Sequence, residues 1–294
     1  MKKTILVTGG AGFIGSHLCA RLVREGHKVI SLDNYFTGSK DNHIEGVDYR
    51  EGHTKDIERH IPETPDLVYH LGEYSRAAPS LGEPDIVFDL NIKGTFGVLE
   101  HWRARKYKLV YIGSSTKFAQ KRDDNVDGRN RSPYSWSKAA NTEQVHNYGR
   151  WYNLPYSVAY FYNVYGPGER AGQFDGSYGT VVETFKQCYL GGRSCFINGT
   201  GEQTRAFTHI EDTINALVLI GDTGDADEYV IGARETHSLL ALAQMFGLEI
   251  EFKPPTKSTR SSGAGDTAKL EALGWKQQYT LEEYIEQIKK TTQK

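Results

Sequence analysis

Tyr134 and Lys138 stand four residues apart in Tyr134-Ser135-Trp136-Ser137-Lys138, at the head of a helical run through Ala139, Val145 and Tyr148. On a helix that spacing puts both side chains on one face. An ammonium beside a phenol stabilises the phenolate, which would give Tyr134 a usable general-base form near neutral pH. A pattern this short means little alone, because a chain with 18 tyrosines yields roughly one such pair by chance. Its weight comes from its surroundings. Shortly upstream, the apolar run Leu109 to Ile112 ends in Gly113-Ser114-Ser115-Thr116, a cluster of hydroxyls. The competing reading is a tyrosine that caps a helix start beside a solvated lysine.

The elements that would position this pair begin at the N-terminus. Thr4 to Thr8 suits a buried strand, and it breaks into Gly9, Gly10, Gly12 and Gly15 before Leu18, Leu22 and Val23 begin a helical stripe. Gly9 permits a tight turn, Gly12 lets backbone N–H groups approach a pyrophosphate, and Gly15 lets the helix pack on the sheet. The free N–H groups and the helix dipole favour negative charge there. A second strand, Lys28 to Leu32, ends in Asp33, placed where a carboxylate accepts both hydroxyls of an adenosine ribose and repels the extra phosphate of NADP. The expected cofactor is NAD.

Further strands are read at Val47 to Arg50, Asp66 to Leu71 and Leu109 to Ile112. Asp85 to Arg105, with Val87, Leu90, Val98 and Leu99 at helical spacing, crosses between the last two. The fold class is α/β, a doubly wound parallel (Rossmann) sheet over residues 1–166. A smaller C-terminal α/β substrate lobe occupies 167–294, with a soft boundary at Phe161 to Tyr165 and a chain expected to recross. The lobe is read as helices Tyr178 to Leu190, Glu211 to Gly221, Leu239 to Phe246 and Leu281 to Lys289, with a strand at Cys195 to Ile197.

Composition narrows the classes. In 294 residues, 38% hydrophobic and 24% charged content is that of a soluble globular chain. A net charge of -2 without a basic block argues against nucleic acid as partner. No apolar run approaches the roughly 20 residues of a membrane span, and the N-terminus enters a strand rather than a signal peptide. Cys19, Cys188 and Cys195 form no CxxC pair, which points to reduced thiols and a cytoplasmic location. The histidines, among them His43, His53 and His60, show no ligand spacing, and no metal is expected.

TGGAGFIG, with Phe13 and Ile14 before its last glycine, the Asp33-Asn34 pair, Asp56-Ile57, His70-Leu71, Asn91 with Gly94-Thr95, SST, YSWSK, Asn163 in NVYGP and Arg205 in QTRAFTHIED span nearly the whole chain. Together they resemble the extended short-chain dehydrogenase/reductase family, and within it the NAD-dependent nucleotide-sugar epimerases and dehydratases of the UDP-glucose 4-epimerase type. The resemblance implies tightly held NAD contacted by Gly9, Gly12, Phe13, Ile14, Gly15, Asp33, Asn34, Asp56, Ile57, Leu71, Gly72 and Asn91. It also implies a nucleotide-sugar substrate in the C-terminal lobe and a homodimer paired through two helices of each subunit. Tyr134 would be the base, Lys138 would hold the nicotinamide ribose, and either Ser115 or Thr116 would bond the substrate oxygen. Asn163 and Arg205 match positions that contact the nucleotide's phosphates, and Arg260, ahead of Asp266 and Leu273-Gly274-Trp275, resembles a second phosphate arginine. Two arginines on a diphosphate make sense as charge-assisted forks, the competing reading being surface salt bridges.

Departures from the family pattern bear on the reaction. Dehydratases of this kind carry Asp-Glu directly after the threonine, and uronate decarboxylases keep a glutamate two residues after it; here Lys117 and Phe118 follow Thr116. What remains suffices to oxidise a sugar C4 alcohol and reduce it again, which is epimerisation. The alternatives are a nucleotide-sugar dehydrogenase or reductase, a dehydratase, or a dinucleotide sensor, the last disfavoured by the retained Tyr134 and Lys138. Asn198 stands where an aromatic often stacks on uracil, and Phe196 is the substitute on the same side of the strand. Glu73 replaces the usual small residue after Gly72 and, with Tyr74, Ser75 and Arg76, makes a polar wall at the expected sugar site. Glu73 either meets the sugar or pairs with Arg76.

Overall fold

Six parallel strands, β1 (Thr4–Thr8), β2 (Lys28–Asp33), β3 (Val47–Glu51), β4 (Leu67–His70), β5 (Lys108–Ser114) and β6 (Tyr156–Phe161), carry the large domain of the computed structural model. With the edge strand Glu228–Ile231 they form one sheet, ordered from that edge as β6, β5, β4, β1, β2, β3. The structure describes residues 1–118, 127–169, 179–255 and 265–292. Thr8 lies opposite both Leu32 and His70, so β1, β2 and β4 end nearly level, while β5, with Tyr111 opposite His70, runs on to Ser114. The strand order reverses between β1 and β4, and a crevice opens at such a switch point.

β1 explains the layering. Its side chains alternate across the pleat, Ile5 and Val7 to one face and Leu6 to the other, and both faces are covered. On the first face α1 (Phe13–Arg24) and the helix Ile210–Thr223 pack through Leu18, Leu22, Ile214 and Leu217. The second face is covered from Asp56 onward by the short α2 (Ile57–His60) and α3 (Pro84–Val87) and by α4 (Gly94–Arg105) and α5 (Pro133–Tyr152). Val98, Leu99, Trp102 and Val145 fill its core.

The crossover read as one helix over Asp85 to Arg105 contains a wider π turn at Phe88–Lys93 between α3 and α4. Such turns put one extra residue into a helical path, and this one buries Asn91 completely. The lobe has its own core of Tyr165, Val182, Phe185, Phe246, Leu281 and Ile285. Its helix Val181–Leu190 starts at Thr180, whose hydroxyl accepts the Glu183 N–H; Tyr178 lies outside the described residues. The helix Ile210–Thr223, the edge strand Glu228–Ile231 and Trp275 join the core built around Ile5, Val7 and Leu18. Among the described residues no helix is long and apolar enough to cross a membrane.

Trp102 is fully buried, donates its indole N–H to the Tyr107 carbonyl at 2.8 Å and meets the edge of Tyr156 at 6.1 Å. Trp102→Ala is expected to cost about 3–5 kcal/mol through the cavity it leaves, read as a lower denaturant midpoint with an unchanged slope.

Candidate active site

The cofactor end of the crevice is built by close backbone contacts. Gly9 sits at φ +73°, and a Cβ there would come within 2.9 Å of the Gly72 Cα; one on Gly15 would sit 2.1 Å from the Gly9 carbonyl. Only glycine backbones allow the β1 turn to lie this flat against the loop after β4. Gly12 precedes α1 in an extended conformation without a side-chain cap, and the first turn of α1 carries no acidic residue. This is a seat for a phosphate. Asp33 accepts the Ala11 N–H at 2.9 Å and the Tyr35 N–H at 2.8 Å, which ties the end of β2 to the glycine turn. Burial raises its pKa against those two bonds. Gly9, Gly12, Phe13, Ile14, Gly15, Asp33, Asn34, Leu71 and Gly72 all line one cleft, so the glycine cradle and the carboxylate beyond it fit a dinucleotide.

Three of the residues expected to contact the cofactor do not line this cleft. Asp56 and Ile57 face a separate hollow beside Phe96 and Gly97, because the turn Thr54–Asp56 is pressed under α4 so closely that a Cβ on Gly97 would meet the Thr54 carbonyl at 2.5 Å. Ile57 is a core residue. Asn91 does not line the cleft: its amide accepts the Tyr74 N–H at 2.6 Å and donates to the Tyr74 carbonyl at 3.2 Å and the Ser137 hydroxyl at 3.0 Å. It clamps the loop after β4 onto α5.

At the other end of the cleft, Ser132 caps α5 by accepting the Ser135 N–H at 3.1 Å, and Pro133 supplies its first residue. Tyr134 therefore stands in the first turn, with Lys138 one turn below it in the same cleft. The Tyr134 hydroxyl donates to Ser114 Oγ at 3.2 Å, and Thr116 Oγ1 donates to the same atom at 2.9 Å. Ser115 and Thr116 line the cleft, and Ser114 is the hydroxyl that receives the tyrosine. Its place in the Gly-Ser-Ser-Thr cluster was the available signal.

Glu73 lines the cleft, and its partner is Lys138 rather than Arg76. Its side chain is 3% exposed. Burial disfavours the ionised carboxyl, yet Lys138, His70 and Asn141 outweigh it and hold Glu73 below the usual carboxylate range. Arg76, Asn163 and Arg205 line the cleft; Asn163 sits at φ +36°, its amide donating to the Ala206 carbonyl at 3.0 Å. Phe196 lies away from the cleft on the strand Cys195–Asn198, under the Lys253 ammonium at 3.6 Å from its ring. Pairing of that strand with Ile250–Lys253 fixes it there. Arg260 lies outside the described residues.

Lys117 turns away from the cleft. Its ammonium donates to Glu228 at 2.6 Å and to the Tyr160 hydroxyl at 3.0 Å, and Phe118 meets Tyr160 edge-on at 5.0 Å. Among the described residues Glu235, His237 and Glu282 bring ligand atoms within 4.8 Å of one another at a partly exposed position, His237 and Glu282 pairing at 3.4 Å.

The model of the NAD dependent epimerase/dehydratase family matches residues 5–232. A putative UDP-glucose 4-epimerase of Methanocaldococcus jannaschii is 32% identical, the match covering 97% of this chain and 96% of that protein. A UDP-N-acetyl-alpha-D-glucosaminuronate decarboxylase of Bacillus cytotoxicus is 29% identical, over 83% of this chain and 79% of its own length. Among solved structures, the UDP-glucose 4-epimerase with UDP-glucose from Thermotoga maritima is similar with a TM-score of 0.89 and 27% identity, covering 99% of this chain and all of that one.

Gly15→Ala is expected to open the glycine turn and strip the purified protein of NAD, measured as nucleotide released on acid denaturation. Glu228 tests the ion cluster behind the site. Bonds from His146, Lys117 and Tyr160 depress its pKa from 4.5 to about 2. A depressed acid stabilises the fold fully above its unfolded value and loses that contribution as pH falls through its folded value. Stability should therefore decline between about pH 4.5 and pH 2, and Glu228→Gln should flatten that part of the unfolding profile.

Proposed function

Since the chain belongs to the NAD dependent epimerase/dehydratase family, we propose that it is a nucleotide-sugar 4-epimerase acting on a UDP-hexose through a 4-keto sugar. The observation that carries this reading is the direction of Lys117 and Phe118. The two side chains after Thr116 are an ammonium committed to Glu228 and an aromatic on Tyr160, so neither supplies the extra acid that water elimination needs or the glutamate of a decarboxylase. The similarity to a decarboxylase at 29% identity is the reason the side chains, and not the overall likeness, must decide.

NAD in this cleft supplies a hydride acceptor for the sugar C4 and, once the keto sugar has turned over, the donor. The chain's own residues do the rest. At rest the Tyr134 phenol donates to Ser114; once it has lost that proton to solvent, the phenolate takes the proton of the C4 hydroxyl and the phenol so formed returns it to the product oxygen. Ser115 and Thr116 orient the same oxygen from the cleft wall, and Lys138 holds the nicotinamide ribose. Arg205 and Asn163 serve the diphosphate. Uridine is supported by the names of the relatives rather than by a stacking residue, since Phe196 lies elsewhere.

The second subunit of the expected homodimer is proposed on the outer faces of α4 and α5, where Phe96, Trp136 and Trp151 are each about half exposed or more. A dehydrogenase or reductase would use the same tyrosine and lysine but need free cofactor in every turnover. Tyr134→Phe is expected to lower epimerisation by at least about 10²-fold while leaving NAD bound, assayed by sugar analysis and released nucleotide on the same preparation. Retained epimerisation would overturn the assignment.

A further inference from the structure

Glu73 is a buried carboxylate in the cleft that the proposed reaction leaves unused, and both of its oxygens are engaged. Oε2 accepts from Lys138; Oε1 accepts from Asn141 at 2.8 Å, Thr95 at 2.9 Å and the Tyr111 hydroxyl at 3.3 Å. The donors order themselves backward from the carboxylate. With the Thr95 hydroxyl given to Glu73, His70 Nε2 donates to Thr95 at 3.0 Å, His70 Nδ1 accepts from Thr8 at 2.7 Å, and Thr8 accepts the Gly72 N–H at 3.0 Å. That arrangement needs a neutral His70, and burial holds its pKa down to about 4. A carboxylate with this many committed donors has one orientation. Lys138 is fixed in turn: an ammonium carries three donors, and Glu73 and the Ile112 carbonyl engage two of them.

We propose that Glu73 is a positioning residue that pins the Lys138 ammonium at the ribose end of the NAD site and cancels its charge there, so that bound cofactor is favoured in its oxidised form. The nicotinamide ring is cationic when oxidised and neutral when it has accepted a hydride. A lone ammonium beside it favours the neutral ring; a carboxylate in contact with that ammonium removes most of the field, which acts strongly in a buried site. An enzyme that begins each turnover by taking a hydride from its substrate benefits from a cofactor that rests oxidised. The inference rests on Lys138 lying at the ribose of NAD and is independent of which sugar is turned over.

The test uses NAD-loaded protein without any sugar. Sodium cyanoborohydride donates a hydride to the bound nicotinamide, and the reduced ring is followed at 340 nm in the parent, Glu73→Gln and Glu73→Ala proteins. Reduction at least about tenfold faster in both variants is the expected result. Rates within about twofold of the parent would overturn the proposal, and so would failure of both variants to fold and retain NAD, because Glu73 would then be a structural residue only. Failure of every nucleotide sugar to react would instead count against the epimerase reading and leave this measurement intact.

Discussion

Two backbones without side chains, Gly9 after β1 and Gly72 after β4, set the geometry of the whole site. They approach so closely that a Cβ on either would meet the other's backbone at about 3 Å. Thr8 seals the approach by accepting the Gly72 N–H and bonding His70. Because β1 and β4 are neighbours at the point where the strand order reverses, this contact fixes both ends of the cleft. The glycine turn and the start of α1 lie on one side of it. Glu73, one residue after Gly72, lies on the other and reaches Lys138 on α5.

The buried ion pair is therefore an extension of the fold's central contact. Taking a carboxylate and an ammonium out of water costs several kcal/mol per ion, and the mutual attraction offsets that only when the remaining lone pairs are satisfied. Thr95, Asn141 and Tyr111 meet that condition around Glu73. Asn91, buried by the π turn, adds the backbone clamp that keeps Tyr74, and with it Glu73, against α5. Packing and polar satisfaction together place a charged pair where an apolar core alone would not.

The parallel sheet, the glycine cradle, Asp33 and the Tyr134 to Lys138 face were legible because each rests on a local pattern: a strand, a turn, a helix period. What was not legible depends on tertiary direction. Asp56 and Ile57 have the right types, but the turn before them is pressed under α4 and points them away from the cleft. Choosing among Ser114, Ser115 and Thr116 needs the orientation at the end of β5, and Tyr134 meets Ser114. Glu73 has a charged neighbour three residues on in Arg76, yet its partner is 65 positions away on α5. The π turn has no single-residue signature, and with it the inward role of Asn91 stayed hidden.

In the proposed reaction this cleft moves a hydride off a sugar and back again without releasing cofactor. Proton NMR in heavy water, with a panel of UDP-, GDP-, CDP- and dTDP-sugars and no added NAD, tests it most directly. Conversion of one sugar to its 4-epimer with no deuterium at C4 is expected. Deuterium entering at C5 or C6 with loss of water, or no change until NAD or NADH is supplied, would contradict it.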